Sequence, residues 1–183
     1  MVERWERIEP TKVYKAGWRT MVDKTFRLPD GTTHVFTTMN PEGMQCGAAI
    51  ALTSDKQVII ARQFRPGPEK IFDELPGGFI DAGESIEAGV RRELLEETGY
   101  EAGEMIHLAT FNKDAYNNAT FNYYLALNCT MATAARPQLE AEFVEVVLIS
   151  IEQLLSNARS DAMSDSEAVL VAADRLGQLA KQT

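Results

Sequence analysis

The chain has 183 residues and a formal net charge of −9, with 45% hydrophobic and 25% charged residues. This length and composition indicate one folded domain with a small addition, and they exclude a disordered or fibrous chain. The longest apolar runs fall well short of the roughly 20 residues that cross a bilayer. The negative net charge disfavours binding to nucleic acid and to anionic lipid. We therefore expect neither a membrane span nor a nucleic-acid partner.

The N-terminal residues 1–7 carry charges where a signal peptide has its apolar segment, so we expect a cytoplasmic protein. The two cysteines, Cys46 and Cys129, are far apart and form no CxxC motif. Histidine occurs only at His34 and His107. A zinc site therefore lacks ligands, and we expect two buried free thiols.

The first part of the chain predicts a small antiparallel sheet. β-branched and aromatic residues favour strands at 13–18, 20–27 and 33–38, with turn residues at 28–31. A second group of turn residues follows at 40–43. We place an N-terminal sheet segment at residues 1–42 and the main domain at residues 43–183.

The main domain alternates predicted strands with a few helices. Apolar runs predict strands at 48–52, 58–64, 105–111, 121–128 and 144–149. Apolar spacing and end signals predict helices at 85–98, ended by Gly99, at 151–158 and at 164–181. This order predicts an α+β fold, with a mixed sheet covered on both faces.

The predicted helix at 85–98 carries Glu93, Glu96 and Glu97. With about 100° of rotation per residue, the three carboxylates share one face. Like charges at positions i and i+4 repel, and a bound Mg²⁺ or Mn²⁺ would reverse that cost because these ions prefer oxygen ligands. Three glutamates by themselves are more often a solvated helix face.

Two further residues lie near this acidic face. Gly89 is one turn before Glu93, and its missing side chain leaves room for a backbone or a substrate to approach. Arg92 can reach back to Glu84 in the preceding loop as a bidentate partner. Such a pair would fasten the loop to the helix.

The glycine loop and the helix together form a longer pattern. Its fixed residues are Gly78, Glu84, Arg92, Glu93, Leu94, Glu96, Glu97 and Gly99, followed by the apolar Tyr100. This pattern resembles the Nudix box at every fixed position. The resemblance implies the Nudix fold, an α/β/α sandwich with a mixed sheet, and metal-dependent hydrolysis of a nucleoside diphosphate linked to another moiety.

Residues outside the box narrow the resemblance. The stretches 63–65 and 74–78, together with the β-rich N-terminal segment, are similar to the ADP-ribose or nucleoside diphosphate sugar pyrophosphatase group. In that group the N-terminal sheet exchanges across a two-fold dimer and helps to build the nucleotide pocket, so the resemblance implies a homodimer. A sheet of this size must bury one face, either on a partner or on its own main domain.

The resemblance also implies roles for individual residues. Arg65 looks like a phosphate contact, because a guanidinium offers fork-shaped donors, although an exposed surface arginine is the alternative. Glu74 serves either structure or substrate. The resemblance implies that Glu97 is both a catalytic residue and a metal ligand. The implied metal ligands are Glu93, Glu97, the accessory Glu96 and the carbonyl of Gly77.

An acidic loop at residues 136–142 precedes the last predicted core strand. By resemblance, Glu140 is the candidate general base and Glu142 a further metal ligand. The two can exchange roles, or Glu145 can take one of them. A carboxylate base suits a metal-bound water because the metal lowers the pKa of the water. Two solvated loop glutamates are the alternative.

Tyr116 marks a departure from the ADP-ribose group, which has a proline in this region. A tyrosine here is similar to the dinucleoside polyphosphate hydrolases. Tyr116 either stacks on a substrate base or packs among the strand aromatics that follow it.

These features predict a Mg²⁺- or Mn²⁺-dependent enzyme that cleaves ADP-ribose-like nucleoside diphosphate sugars to a nucleoside monophosphate and a sugar phosphate. Two alternatives stay open. One is hydrolysis of dinucleoside polyphosphates or other nucleotides at the same site, and the other is a non-catalytic nucleotide-sugar sensor.

Overall fold

The computed structural model describes residues 2–17, 19–133 and 143–181. Its contacts divide the chain into two compact units. Unit 1 comprises Met1–Gln45 and Phe111–Phe121, and unit 2 comprises Cys46–Thr110 and Asn122–Thr183.

Unit 1 contains an antiparallel sheet in the order β1-β2-β3, which confirms the predicted small N-terminal sheet. Its strands are β1 (Glu6–Ala16), β2 (Arg19–Arg27) and β3 (Thr33–Met39). Strand β1 begins seven residues earlier than predicted. Pro10 conceals this start in the sequence, because proline cannot donate to a β-ladder, and the β1–β2 register shifts between Ile8 and Lys12.

The second segment of unit 1 is fastened to the end of β3. The Met39 amide donates to the Tyr116 carbonyl at 2.7 Å, and the Asn118 amide donates to the Met39 carbonyl at 2.9 Å. The Asn118 side chain donates to Thr38 Oγ1 at 2.9 Å. Tyr116 therefore belongs to the same unit as the N-terminal sheet.

Glu42 joins two strands of unit 1 by ion pairs. Arg7 of β1 donates to both of its carboxylate oxygens, at 2.6 and 2.9 Å, and Lys24 of β2 lies 3.0 Å from one of them. The hydrogen bonds from Arg7 and Lys24 lower the pKa of Glu42 to about 2. Because the folded pKa lies below the unfolded value of 4.5, this contribution to stability is present above pH 4.5 and is lost as the pH falls towards 2.

We therefore predict that Glu42→Gln lowers the free energy of unfolding at pH 7 by about 1 kcal/mol, a value reduced for solvent screening of the half-exposed carboxylate. Urea unfolding of both proteins at pH 7, 5, 4 and 3 measures the difference, which should shrink below pH 5. Glu3→Gln, at an exposed position, is the control. A difference that does not change with pH would contradict the assignment.

Within the described residues the main sheet has eight strands, in the order β11-β5-β4-β10-β8, with β6 paired to β5, β7 to β4 and β9 to β10. Its strands are β4 (Gln45–Thr53), β5 (Val58–Arg65), β6 (Lys70–Glu74), β7 (Gly77–Phe79), β8 (Tyr100–Glu101), β9 (Glu104–Phe111), β10 (Thr120–Met131) and β11 (Glu145–Ile149). The five predicted core strands are all present. The strands β6, β7 and β8 were not predicted: β7 and β8 have only three and two residues, and three of the five residues of β6 are charged.

Helices cover both faces of this sheet. They are α1 (Ile86–Thr98), α2 (Ile151–Asn157), α3 (Ser166–Val171) and α4 (Ala173–Ala180). Val90 and Leu94 of α1 pack on Ala49, Ala51 and Ala126.

Ala126 of β10 packs on α1. Because successive side chains of a strand point to opposite faces of the sheet, Tyr123, three positions before Ala126, faces away from α1. Its hydroxyl bonds to Asp165 and Glu167 at the start of α3. Helix α1 therefore covers one face and the C-terminal helices the other, which confirms the predicted α+β sandwich.

The helix predicted at 164–181 is broken into α3 and α4 at Ala172. The spacing of apolar residues does not indicate this break, because Ala168 of α3 and Leu176 of α4 are both buried and follow one helical spacing.

None of the helices in the described part of the chain is long and apolar enough to cross a membrane.

Cys46 and Cys129 are free and buried, as predicted. Burial raises the pKa of the Cys129 thiol to about 11. This thiol is therefore protonated at neutral pH and packs as a small apolar side chain.

Candidate active site

Helix α1 is capped at both ends, and its buried residues set the direction of its acidic face. The Ser85 hydroxyl accepts from the Ala88 amide at 3.2 Å, and Gly99 ends the helix with a φ of 78°. Val90 and Leu94 are fully buried. Because these apolar residues fix the rotation of the helix, Glu93 and Glu97 lie along the edge of the buried stripe.

Strand β7 runs directly beside this acidic face. The Gly77 amide donates to Glu97 Oε2 at 2.9 Å, and Glu97 is only 6% exposed. A Cβ atom at Gly78 would lie 2.6 Å from Glu93 Oε1, and one at Gly77 would lie 2.3 Å from the carbonyl oxygen of Gly47. At Gly77 the collision is with backbone atoms of β4, so only glycine allows this approach, whereas a side chain at position 78 would displace the Glu93 carboxylate.

Arg92 joins the acidic face to the preceding loop. Its Nη1 donates to Glu93 Oε1 at 2.9 Å and to Glu96 Oε2 at 3.0 Å. Its Nη2 donates to Glu84 Oε1 at 2.8 Å and to the Phe79 carbonyl at 2.9 Å. The predicted pair with Glu84 is present, and two of the three helix carboxylates also converge on this guanidinium.

This network changes the acidity of its members. The hydrogen bond from Arg92 lowers the pKa of Glu84, and the bond to Glu84 is the main cause that raises the pKa of Arg92. Glu84 also accepts from the Asp81 amide at 2.7 Å. The loop therefore presents a charged carboxylate to the helix at neutral pH.

The space at Gly89 has a different use from the predicted one. A Cβ atom there would lie 2.7 Å from Ile80 Cδ1 and 2.8 Å from Glu84 Oε1. The missing side chain therefore makes room for two loop side chains, and not for a backbone or a substrate.

Arg65 lies at the end of β5 and pairs with Glu74 of β6. Its Nε donates to the two carboxylate oxygens of Glu74 at 2.9 and 3.0 Å, and the Gln63 amide donates to Glu74 Oε2 at 3.0 Å. The Arg65 side chain is 48% exposed and that of Glu74 only 6%. Glu74 therefore orients a guanidinium that stays accessible, and its pairing raises the pKa of Arg65.

The remaining predicted residues lie elsewhere. Tyr116 belongs to unit 1 and is 52% exposed. Glu145 starts β11 and faces Arg62 of β5 across the ladder. Glu140 and Glu142 lie outside the described residues, so their roles stay predictions.

Sequence reasoning missed Asp165, which precedes α3. Its carboxylate accepts from Tyr123 Oη at 3.1 Å and from the Leu75 amide at 3.4 Å. An aspartate before a helix suggests only a capping residue, and Asp165 makes no side-chain cap bond to α3. Its contact with residue 75 spans 90 positions and leaves no local signal in the sequence.

In the described residues, no three His, Cys, Asp or Glu side chains form a ready-made metal cluster. The donors beside β7 nevertheless fit a hard divalent cation, because all of them are oxygens. The absence of a Cβ at Gly78 also keeps β7 from crowding the Glu93 carboxylate, whose Oε1 accepts from Arg92 on another side.

A comparison with family models matches the NUDIX domain over residues 44–170. The chain belongs to the Nudix family. The family match confirms the resemblance seen in the box, and it makes the protein a Nudix hydrolase.

Curated relatives of this Nudix hydrolase include proteins of mouse and of two Bacillus species. It is 30% identical to the ADP-sugar pyrophosphatase of Mus musculus, over 84% of this chain and 76% of the relative. It is 31% identical to the ADP-ribose pyrophosphatase of Bacillus subtilis, over 66% and 65%. It is 28% identical to the methanol dehydrogenase activator of Bacillus methanolicus, over 78% and 77%.

Among solved structures, a chain described as an ADP compounds hydrolase matches this Nudix hydrolase with a TM-score of 0.81. The match covers 98% of this chain and 97% of the other, with 17% sequence identity. This likeness supports the fold.

We predict that Arg92→Lys lowers the free energy of unfolding by about 1–2 kcal/mol, because one ammonium group cannot replace the bonds to the Phe79 carbonyl and the helix carboxylates. Urea unfolding measures the change. The control is Arg175→Lys, which makes the same change at an exposed position of α4. Equal effects at both positions would show that the Arg92 network adds no specific stability.

Proposed function

We propose that this Nudix hydrolase cleaves nucleoside diphosphate sugars of the ADP-ribose type to a nucleoside monophosphate and a sugar phosphate. The observation that carries the proposal is the acidic face of α1, where Glu93 and Glu97 lie against the glycine strand β7. The names of the mouse and Bacillus subtilis relatives support this class of substrate.

The proposed cofactor is Mg²⁺ or Mn²⁺. The residues that would hold it are Glu93, Glu96, Glu97 and the Gly77 carbonyl, with Glu142 as a further ligand. Such a cation, when bound, offsets phosphate charge and lowers the pKa of bound water.

Glu97 combines two properties that suit a catalytic position. It is buried, and its Oε2 atom is held by the Gly77 amide. The hydrogen bond fixes the carboxylate against β7 without neutralising its charge. Glu97 therefore supplies a negative charge of fixed position at the edge of the helix.

Arg65 supplies positive charge for the substrate. Glu74 holds its Nε edge, while about half of the side chain stays exposed. A guanidinium held in this way can donate to phosphate oxygens and offset the charge that develops on the transferred phosphoryl group. In this role Glu74 orients Arg65, and Arg65 contacts the substrate.

Glu140 is the proposed general base. It accepts a proton from the attacking water as the water oxygen bonds to phosphorus, and the bridging P–O bond breaks. The leaving phosphate oxygen keeps the electron pair of that bond. Two monophosphate products follow.

We further propose that the segment 1–42 forms a homodimer contact and contributes to the nucleotide pocket. The support is the similarity of this β-rich segment to the N-terminal sheet of the ADP-ribose pyrophosphatase group. The cytoplasmic location expected from the sequence stays a prediction.

Hydrolysis of dinucleoside polyphosphates is the second candidate function. Tyr116 favours it, because its ring is half exposed and its backbone carbonyl accepts from the Met39 amide. An exposed tyrosine can stack on a nucleobase.

The test is turnover of ADP-ribose, GDP-mannose, UDP-glucose, NADH and diadenosine polyphosphates, with Mg²⁺, Mn²⁺ or EDTA and the products separated by chromatography. We expect metal-dependent cleavage of one or more nucleotide sugars to monophosphates. Preference for diadenosine compounds would support the second candidate. Ligand binding without product in any condition would instead indicate a sensor.

We predict that Glu97→Gln lowers kcat by about 10²-fold or more, because the amide oxygen can still accept from Gly77 while the charge is lost. Steady-state kinetics on the preferred substrate measure the change. Glu87→Gln, an exposed position on the same helix, should leave kcat within about twofold of the unchanged protein. Near-normal activity of Glu97→Gln would refute the proposed role of Glu97.

A further inference from the structure

The segment before α3 runs along the outer edge of β6. The Asp73 amide donates to the Ala162 carbonyl at 3.0 Å, and Asp73 forms a parallel bridge with Met163. Two residues further along, the Leu75 amide donates to Asp165 Oδ2 at 3.4 Å. The two amides that flank Glu74 are thus both held from this side.

Glu74 is fixed from the other side by β5. It pairs with Ala61 in the antiparallel ladder, and its side chain, 6% exposed, accepts from Gln63 and Arg65. The direction of the Glu74 carboxylate therefore depends on backbone contacts along both edges of β6. A shift of the backbone at Leu75 would be passed directly to the carboxylate that orients Arg65.

The Asp165 carboxylate is itself held in place. Tyr123 donates to Oδ1 at 3.1 Å and the Ser164 hydroxyl donates to Oδ2 at 3.3 Å. Tyr123 is 1% exposed, and burial together with the charges of Asp165 and Glu167 raises its pKa. The phenol therefore stays protonated and remains a hydrogen-bond donor.

Asp165 also lies close enough to Arg65 to interact with its charge. The pKa of Arg65 is raised mainly by the hydrogen bond to Glu74, and the negative charges of Glu97 and Asp165 add to it. Asp165 thus affects the same guanidinium in two ways, through the backbone beside Glu74 and through its charge.

We propose that Asp165 is a positioning residue for Arg65: by holding the Leu75 amide it fixes the Glu74 carboxylate, which aims the guanidinium at the phosphates of the substrate. This inference rests on the proposed function, in which Arg65 contacts the diphosphate. It assigns a role in substrate binding to a residue that lies outside the Nudix box and 100 positions from Arg65 in the sequence.

The first test is a double-mutant cycle with Asp165→Ala and Arg65→Ala on the preferred nucleotide sugar. We expect Asp165→Ala to raise KM about tenfold with kcat changed less than about threefold, and the double variant to be no worse than Arg65→Ala alone. If the double variant instead raised KM by the product of the two single effects, the proposal would be overturned. Glu167→Ala, which removes the other carboxylate on Tyr123, is the control and should leave KM unchanged.

A second measurement does not depend on activity. In the substrate-free protein, NMR should show that the Nε–H proton of Arg65, which is bonded to Glu74, exchanges about tenfold faster with water in Asp165→Ala than in Glu167→Ala. If Asp165→Ala does not fold, Asp165→Ser keeps a residue that suits the start of a helix, but its side chain is too short to reach the Leu75 amide, and it should change exchange in the same direction. An unchanged exchange rate would overturn the role of Asp165.

The two measurements separate the possible failures. If the substrate panel shows no hydrolysis, the proposed function is wrong, while the NMR result still decides whether Asp165 positions Arg65. If hydrolysis is found but the cycle is multiplicative, only the role of Asp165 is wrong.

Discussion

The candidate site depends on the close approach of strand β7 to helix α1. Gly77 and Gly78 let the strand backbone lie against Glu97 and Glu93, where any Cβ atom would collide with a carboxylate or with β4. A helix face with three glutamates would otherwise be a solvated surface with unfavourable charge repulsion. The glycine strand turns part of that face into a partly buried edge with a backbone donor aimed at it.

Positive charge balances this edge from two directions. Arg92 gathers the carboxylates of Glu84, Glu93 and Glu96, and so joins loop and helix into one rigid element. Arg65 is held differently, by the buried carboxylate of Glu74, and stays accessible. The first arginine therefore maintains the site, and the second is available to a ligand.

The support for the site extends across the sheet. Tyr123 projects from the face opposite α1 and holds Asp165, whose other oxygen accepts from the Leu75 amide. Leu75 lies between Glu74 and the glycines of β7. Both faces of the sandwich therefore contribute to the position of residues 74–78, which carry the backbone part of the site.

The sequence by itself determined the features that arise from local spacing: the helix ended by Gly99, its acidic face, and the pairing of Arg92 with Glu84. These features involve residues within about two turns of helix or an adjoining loop, so periodicity and a short motif are enough to predict them. Only the tertiary structure decided that the space at Gly89 holds Glu84 and Ile80, that Gly77 donates to Glu97, and that Asp165 holds Leu75. In the last two contacts the donor is a backbone amide. Every residue except proline has such an amide, so the sequence of side chains does not indicate which amide a distant carboxylate will accept from.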